Sequence, residues 1–362
     1  MTRARELGLP LSGRTGPGNA ITDVPGVEVG YTTLIEGDAV RTGVTAILPR
    51  GRADFAVPCA AGWSSLNGNG EMTGTAWLSE TGSLRLPVLI TNTHAVGPCH
   101  RGAIDWATAA SPAIAEQWLL PVVAETWDGY LNDINGPHVQ PSHAIAAIDA
   151  AHGGPIAEGS VGGGTGMNCY AFKGGSGTSS RLVRYGEDEY SVGAFVQANF
   201  GSRKELTVCG VPVGEALADD NPMEHTQWRT PPSAGSVIVT LATDAPLLPL
   251  QCSALARRVP LGLARTGTTG SHFSGDIFLA FSTGNPGALT MGFPDGEPGY
   301  EQLRFIPWSR LDDFFEAVVQ SVEEAVLNAL VAAETMTGRD GHRSPALPVD
   351  RLLDLLSRSI RA

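Results

Sequence analysis

Through the first 235 residues, glycine clusters alternate with short apolar runs, a pattern that suits many brief strands joined by tight turns. The chain holds 45 glycines and 25 prolines in 362 residues, roughly one residue in five against an ordinary ~12%. No Gly-X-Y period accompanies the excess, so it marks turns and glycine loops rather than a collagen-like rod. Strand-like segments are GVEVGYTTL (26–34), RLPVLITN (85–92), LPVVAET (120–126), SVGAFVQANF (191–200), GSVIVTLAT (235–243) and IFLAFST (277–283). Several are β-branched-rich and bounded by turn signals, as buried strands are.

Helices are fewer. From Leu311 apolar residues recur at Phe314, Phe315, Val318, Val319, Val322, Val326, Ala329 and Leu330, a stripe of period 3.6. Ser309 reads as its N-cap, with Asp312 at the third helical position, and Gly338 as its stop. HAIAAIDAAHGG (143–154), LLPLQCSALARRVPLGLA (247–264) and Val349–Ser359 also read as helices. Strands and helices mix without a regular βαβ alternation, so the expectation is a layered α/β (α+β) sandwich rather than a doubly wound Rossmann sheet.

A length of 362 residues suits two ordinary domains or one large one, and 42% hydrophobic against 17% charged residues reads as globular. The net charge of −13 repels phosphate backbones, which argues against nucleic-acid partners and leaves cationic or zwitterionic substrates open. Five scattered cysteines (Cys59, Cys99, Cys169, Cys209, Cys252) without a C-x-x-C fit a reducing compartment. With no signal-like apolar region at the N-terminus and no apolar run of membrane-spanning length, a cytoplasmic location is expected.

Five constellations could carry chemistry. Gly235-Ser236 heads a buried strand after the loop QWRTPPSAG. A serine placed there can attack the carbonyl of the preceding glycine, which tolerates strained backbone, and hydrolysis of the resulting ester frees an α-amine. That amine, of ordinary pKa about 7.7–8.0, would serve as base beside its own hydroxyl; an ordinary turn before a strand is the competing account. In RTGTTGSHFSGDIFLAFSTGN (265–285), Ser274 and Asp276 stand where a hydroxyl-rich loop enters a strand, able to polarise another hydroxyl or merely to make a turn. GSVGGGTGMNCYAFKGGSGTSSR (159–181) resembles a phosphate loop, but Lys173 is followed by Gly174, so the P-loop order is missing. An irregular structural hairpin fits better, with a backbone-lined wall for a small substrate as the alternative. ETWDGYLNDINGPHV (125–139) gathers Trp127, Asp128, Tyr130, Asn132, Asp133 and Asn135 just after a strand, and Asn199 in VQANFG could turn its amide to an oxyanion or simply close a turn. The eight histidines lack ligand spacing and no G-x-S-x-G elbow occurs, so neither a metal site nor an ordinary α/β-hydrolase is expected.

Taken in order, NAITDVPGVEVGYTTL, NGNGEMTG (67–74), ETWDGYLNDING, the 159–181 segment, VQANFG, GSVIVTLATDAPLLP, RTGTTGSHFSGDIFLAFST and NALVAAETMTGRDGH resemble the L-aminopeptidase/D-esterase and β-aminopeptidase family. The resemblance runs from about Leu9 to Leu355. It implies a precursor that cuts itself before a serine, here at Gly235–Ser236, leaving 1–235 and 236–362 associated in one domain. The implied architecture is a four-layer αββα sandwich resembling N-terminal-nucleophile hydrolases with different connectivity. It assigns the nucleophile to Ser236, a supporting serine and acid to Ser274 and Asp276, an oxyanion asparagine to Asn199 and an active-site tyrosine to Tyr130. Some members carry Glu at the acid position, and Asp276 is one methylene shorter. A second Gly-Ser bond, Gly270-Ser271, ranks below because cutting there would sever the 265–276 motif.

The resulting expectation is a self-processing aminopeptidase or amidase acting on short peptides, amides or esters with a free amino group, with no metal or organic cofactor. Ser236 attacks the acyl carbon, its α-amine takes the proton directly or through Ser274, and Asn199 with backbone N–H groups holds the oxyanion. Asp276 or Glu125 would hold the substrate ammonium or orient Ser274. The resemblance further implies a homo-oligomer, a tetramer of processed heterodimers. Two alternatives stand beside it: an acyltransferase of the ornithine acetyltransferase type, which cuts before threonine rather than serine, and a non-catalytic binding protein on the same fold.

Overall fold

Side chains on a strand point alternately to opposite faces, and the apolar runs of this chain use both. The computed structural model describes residues 2–225, 235–293 and 296–361, so residues 227–234 of the loop QWRTPPSAG lie outside the described residues. Its main strands, numbered along the chain, are β1 (Glu28–Glu36), β2 (Val40–Leu48), β3 (Cys59–Ser65), β4 (Ser83–Leu84) and β5 (Val88–Asn92). They continue with β6 (Val122–Thr126), β7 (Gly175–Tyr185), β8 (Asp188–Asn199), β9 (Gly235–Thr243) and β10 (Ser274–Ser282). They form a four-stranded sheet ordered β1-β2-β5-β6 and a six-stranded sheet ordered β4-β3-β10-β9-β8-β7.

The alternation sorts the core into three apolar clusters. From β2, Val44, Ala46 and Leu48 join one outer cluster, while Ile47 points to the space between the sheets. From the second sheet, Phe195, Ile238, Ile277, Leu279 and Phe281 meet Ile47, Val88, Ile90, Val122 and Ala124 in that middle cluster. Val196, Val237, Val239, Leu241, Phe278 and Ala280 face the other way into the third. Helices cover both outer faces: α1 (Val96–Ala110) and α2 (Pro141–Asp149) on the first sheet, α3 (Pro249–Ala256), α4 (Val259–Ala264) and α5 (Asp312–Ala332) on the second. Three cores between four layers make the αββα sandwich, and the C-terminal helix α6 (Val349–Arg361) contributes Leu352 and Leu356 to the third core.

Several local expectations need correction. The stripe from Leu311 is helical, but α5 starts at Asp312 with Leu311 at its N-cap and no side-chain cap. Ser309 sits in a separate 3-10 turn, Trp308–Arg310, and α5 stops at Ala332, well before Gly338. Segment 247–264 is two helices rather than one, because Pro260 has no N–H to continue the helix and would crowd the carbonyl one turn back. Residues 168–173 of the 159–181 glycine segment do form a short hairpin, but its last part is the edge strand β7, paired with β8 from Ala198↔Gly175 to Asp188↔Tyr185. Gly177 permits α5 to lie directly on that strand: a Cβ there would stand 2.0 Å from the Ala325 carbonyl oxygen.

Candidate functional site

β9 lies inside the second sheet, antiparallel to β8 and parallel to β10. This arrangement brings the end of one strand beside the starts of two others. Ser236 therefore stands opposite Asn199 on one side and Gly275 on the other, with Gly235 opposite Ser274 and Val237 opposite Asp276. Residues far apart in the sequence thus meet within neighbouring strand spacings of ~4.8 Å. The glycine before Ser236 is a steric requirement: a Cβ at Gly235 would come 2.2 Å from the Asn199 carbonyl oxygen and 2.9 Å from the Phe200 Cα.

Ser236 is only 1% exposed, and its Oγ accepts hydrogen bonds from the Trp127 backbone N–H at 3.0 Å and from Asn199 Nδ2 at 3.4 Å. Asn199 is held in turn, its Nδ2 donating to the Trp127 carbonyl at 2.8 Å and its Oδ1 accepting from the Asn168 N–H at 2.8 Å. Trp127 follows directly on β6, so the first sheet supplies backbone groups to a hydroxyl carried by the second.

On the far side of Gly275, Ser274 Oγ donates to Asp276 Oδ1 at 2.5 Å, so the shorter acid reaches its serine. Asn67 grips the same carboxylate, donating from Nδ2 to Asp276 Oδ2 at 2.9 Å while accepting the Asp276 N–H at 2.7 Å. Burial raises the Asp276 pKa, and the bonds from Ser274 and Asn67 offset part of that rise. Glu125, on β6, is likewise buried with its pKa raised by desolvation, and it accepts from the Glu71 N–H at 2.9 Å and from the Thr93 hydroxyl. Gly70 fills the gap between: a Cβ on it would lie 2.8 Å from the Gly275 Cα and 3.3 Å from Glu125 Oε1. The carboxylate thus stands about one residue's width from the backbone beside Ser236.

Tyr130 is also buried, but its hydroxyl donates to the Arg343 carbonyl at 3.4 Å and its ring stacks on His342, with centroids 4.7 Å apart. It is tied to the Ser236 cluster through the turn it shares with Trp127. Asp128, buried under the same turn, has its pKa pushed up to about 7 by desolvation and accepts from Asn132 Nδ2. Asp133 pairs with His138 and Asn135 is exposed, so the far end of 125–139 serves as a solvent-facing turn. Two participants do not stand out from the sequence: Asn67, within the NGNGEMTG motif, and the backbone of Trp127. Asn67 has a signal, since an Asn-Gly pair in a long motif beside a strand end is a chemical as well as a turn feature; a backbone N–H has none.

The arrangement offers a hydroxyl flanked by two N–H donors, a serine–carboxylate pair one strand away and a second buried carboxylate on the facing sheet. Such a set is suited to nucleophilic acyl transfer with stabilisation of a developing oxyanion.

Comparison with known proteins agrees with that chemistry. Residues 19–344 match peptidase family S58. A β-peptidyl aminopeptidase, BapA, of Sphingosinicella microcystinivorans is 48% identical over 98% of this chain and 92% of its own length. The solved L-aminopeptidase D-Ala-esterase/amidase of Ochrobactrum anthropi, described as a variant of the Ntn hydrolase fold, superposes with a TM-score of 0.93 at 44% identity, covering 100% of this chain and 99% of that one. A β-aminopeptidase from a Burkholderia species gives a TM-score of 0.89 at 46% identity, covering 99% of each chain.

Proposed function

Since the chain belongs to peptidase family S58 and is an aminopeptidase, we propose that it makes its own nucleophile by cutting the Gly235–Ser236 bond. Ser236 Oγ attacks the Gly235 carbonyl carbon, the C–N bond breaks as the hydroxyl proton passes to the departing nitrogen, and water hydrolyses the ester. The products are a Gly235 carboxylate and a Ser236 with a free α-amine, held together as fragments 1–235 and 236–362. The observation that carries this reading is the pair of N–H donors, from Trp127 and Asn199, aimed at the Oγ of a serine that follows an obligatory glycine.

In turnover, the freed amine takes the proton of the Ser236 hydroxyl as Oγ attacks a substrate acyl carbon, directly or through Ser274. Asn199 Nδ2 and the Trp127 N–H then face the tetrahedral oxyanion, where one such donor is typically worth about 2.7–4 kcal/mol. Asp276 holds Ser274 oriented, and Glu125 binds the substrate ammonium. The amine returns its proton to the leaving group, and water releases the acyl-enzyme by the same route. Tyr130 lines the turn that presents Trp127. With Ser236 1% exposed in the uncut chain, hydrolysis of substrate follows cleavage, which unties Gly235 from the strand.

Substrates are short peptides, amides and esters bearing a free amino group, and the 48% identity to a β-peptidyl aminopeptidase brings β-aminoacyl compounds within that class. The processed heterodimers assemble into a homo-oligomer, following the family pattern. Five unpaired cysteines support a reducing, cytoplasmic setting, and among the described residues no helix is long and apolar enough to cross a membrane. Denaturing gels of the expressed protein test the reading: two bands near two-thirds and one-third of the mass are expected, the smaller beginning at Ser236 by N-terminal sequencing. Ser236→Ala should run as one band without activity on aminoacyl p-nitroanilides. An uncut wild-type chain with full activity would overturn it.

A further inference from the structure

Lys173 is fully buried in a tight hairpin that pairs Asn168–Cys169 with Phe172–Lys173. Among the described residues its ammonium meets no carboxylate; it donates to the carbonyls of Met167 at 2.9 Å, Gly174 at 2.9 Å and Gly164 at 3.5 Å. Taking an ammonium out of water without a counter-charge is costly, and burial pulls this one's pKa down to about 7. The Met167 carbonyl already accepts the Gly174 N–H at 2.8 Å, so the turn does not need a cation merely to close. The other end of the hairpin is pinned as well, with Arg203 donating to the carbonyls of Tyr170 and Ala171, both of which have positive φ.

What the cation touches has a direct line to the nucleophile. The Met167 carbonyl and the Asn168 N–H belong to one planar peptide group. Lys173 Nζ holds the oxygen end, and the N–H end donates to Asn199 Oδ1 at 2.8 Å. The amide of Asn199 passes the order on, with Nδ2 donating to Ser236 Oγ and to the Trp127 carbonyl. In a low-dielectric interior, hydrogen bonds linked in series polarise one another. In its protonated form Lys173 puts a positive charge at the head of this series, which strengthens the Asn168 donor and, through it, the Nδ2 donor that faces the oxyanion.

We propose that Lys173 is a positioning residue for the reaction: it clamps the Met167–Asn168 peptide and thereby orients and polarises the side-chain amide of Asn199. The idea rests on Asn199 acting as an oxyanion donor. A cation that served only to hold the fold would change the amount of active protein; one acting through Asn199 changes kcat and does so only when Asn199 is present.

The experiment is a double-mutant cycle with Lys173→Met and Asn199→Ala, read as kcat and KM per mole of N-terminal serine, so that misfolded or uncut chains do not count. For any variant that stays uncut, the rate of Gly235–Ser236 cleavage is compared instead. Loss of one oxyanion donor typically lowers kcat about 10²–10³-fold, so Asn199→Ala should fall in that range. Lys173→Met should lower kcat about tenfold to a hundredfold with KM within about twofold, and add nothing in the Asn199→Ala background. Lys173→Gln, which keeps N–H donors without the charge, should fall between wild type and Lys173→Met. If Asn199→Ala leaves kcat intact, the oxyanion reading itself fails. If Asn199→Ala is slow but the two losses multiply, or Lys173→Met is as fast as wild type, only the role of Lys173 is overturned. Failure of both Lys173 variants to fold would likewise overturn it, in favour of a purely structural cation.

Discussion

Both groups that hydrogen-bond Ser236 Oγ donate to it, so they favour negative charge on the oxygen but neither can accept its proton. The base must therefore come from elsewhere, and the α-nitrogen exposed by cleavage is the group covalently nearest. In the proposed mechanism the surrounding carboxylates have a different task. Glu125 must be ionised to hold an ammonium, and burial raises its pKa, so ammonium binding is expected to weaken as pH falls through a value above the ordinary carboxylate range. The inhibition constant of a non-hydrolysable amino-bearing substrate analogue, measured from about pH 4 to about pH 7, should show that loss on the acid side. Glu125→Gln should flatten the profile and weaken binding about tenfold to a hundredfold, as for a lost hydrogen bond to a charged group. A Glu125→Gln profile that follows wild type would remove the residue from the binding site. At this scale, Ser236, Ser274, Asp276 and Asn199 stand out as candidates because each is a polar residue at the end of an apolar strand next to or near glycine, while only the family resemblance gives them roles. Trp127 stands out in the sequence for its ring, while the structure uses its backbone, for which residue type carries no information. Tyr130 stands out as part of the polar and aromatic 125–139 segment, its role comes from the family likeness, and its hydroxyl is engaged by the Arg343 carbonyl.

At the scale of elements, β9 and β10 are readable from the sequence because both their faces meet apolar cores and most of their residues are hydrophobic, whereas β2, also buried on both faces, is not among the strand-like segments because Arg41, Thr42, Gly43 and Thr45 interrupt its apolar run. β7 is hidden because its sequence, GSGTSSRLVRY, contains almost no apolar side chains at its start although every residue there is buried. Its burial comes from the helix above it: α5 approaches so closely at Gly177 that backbone touches backbone. The helix α1 escapes for a related reason, since Gly97, Pro98 and Gly102 lower its intrinsic helix preference while packing on the first sheet and α2 sustains it. The contact at Gly177 yields a test remote from the chemistry. A Cβ there would also lie 2.8 Å from the Ala329 N, and α5 cannot give way without disturbing the largest core. Gly177→Ala should cost about 1–3 kcal/mol, as overpacking does, and lower the melting temperature by roughly 1–4 °C. Calorimetry on the cleaved protein would check it, and an unchanged melting temperature would mean that the helix and strand are not so tightly apposed.

For the whole molecule, the place of the cut matters as much as its chemistry. The proposed cut at bond 235–236 would divide the chain so that the smaller part carries β10, nearly all of β9 and the helices α3 to α6, while the larger keeps the first sheet and the strands that flank β9 and β10 in the second. β9 is bonded to β8 and β10 to β3, so both junctions between fragments run along continuous hydrogen-bonded ladders inside one sheet. The third core repeats this mixing: Val192 and Val196 from the larger part join Val239, Phe278, Phe314 and Val318 from the smaller. A 236–362 fragment would thus own no complete core, so a cut at this bond would change a terminus without creating two separable bodies. The cleaved protein should therefore elute as one species in native size exclusion and unfold in a single calorimetric transition, close to that of the uncut Ser236→Ala chain. The 236–362 fragment, isolated in denaturant and diluted alone, should fail to regain its far-ultraviolet spectrum, and should recover it when mixed with 1–235. Two well-separated transitions in the cleaved protein, or independent refolding of the smaller fragment, would show that the two parts hold their own cores and that the shared sheet is not what keeps Asn199 against Ser236.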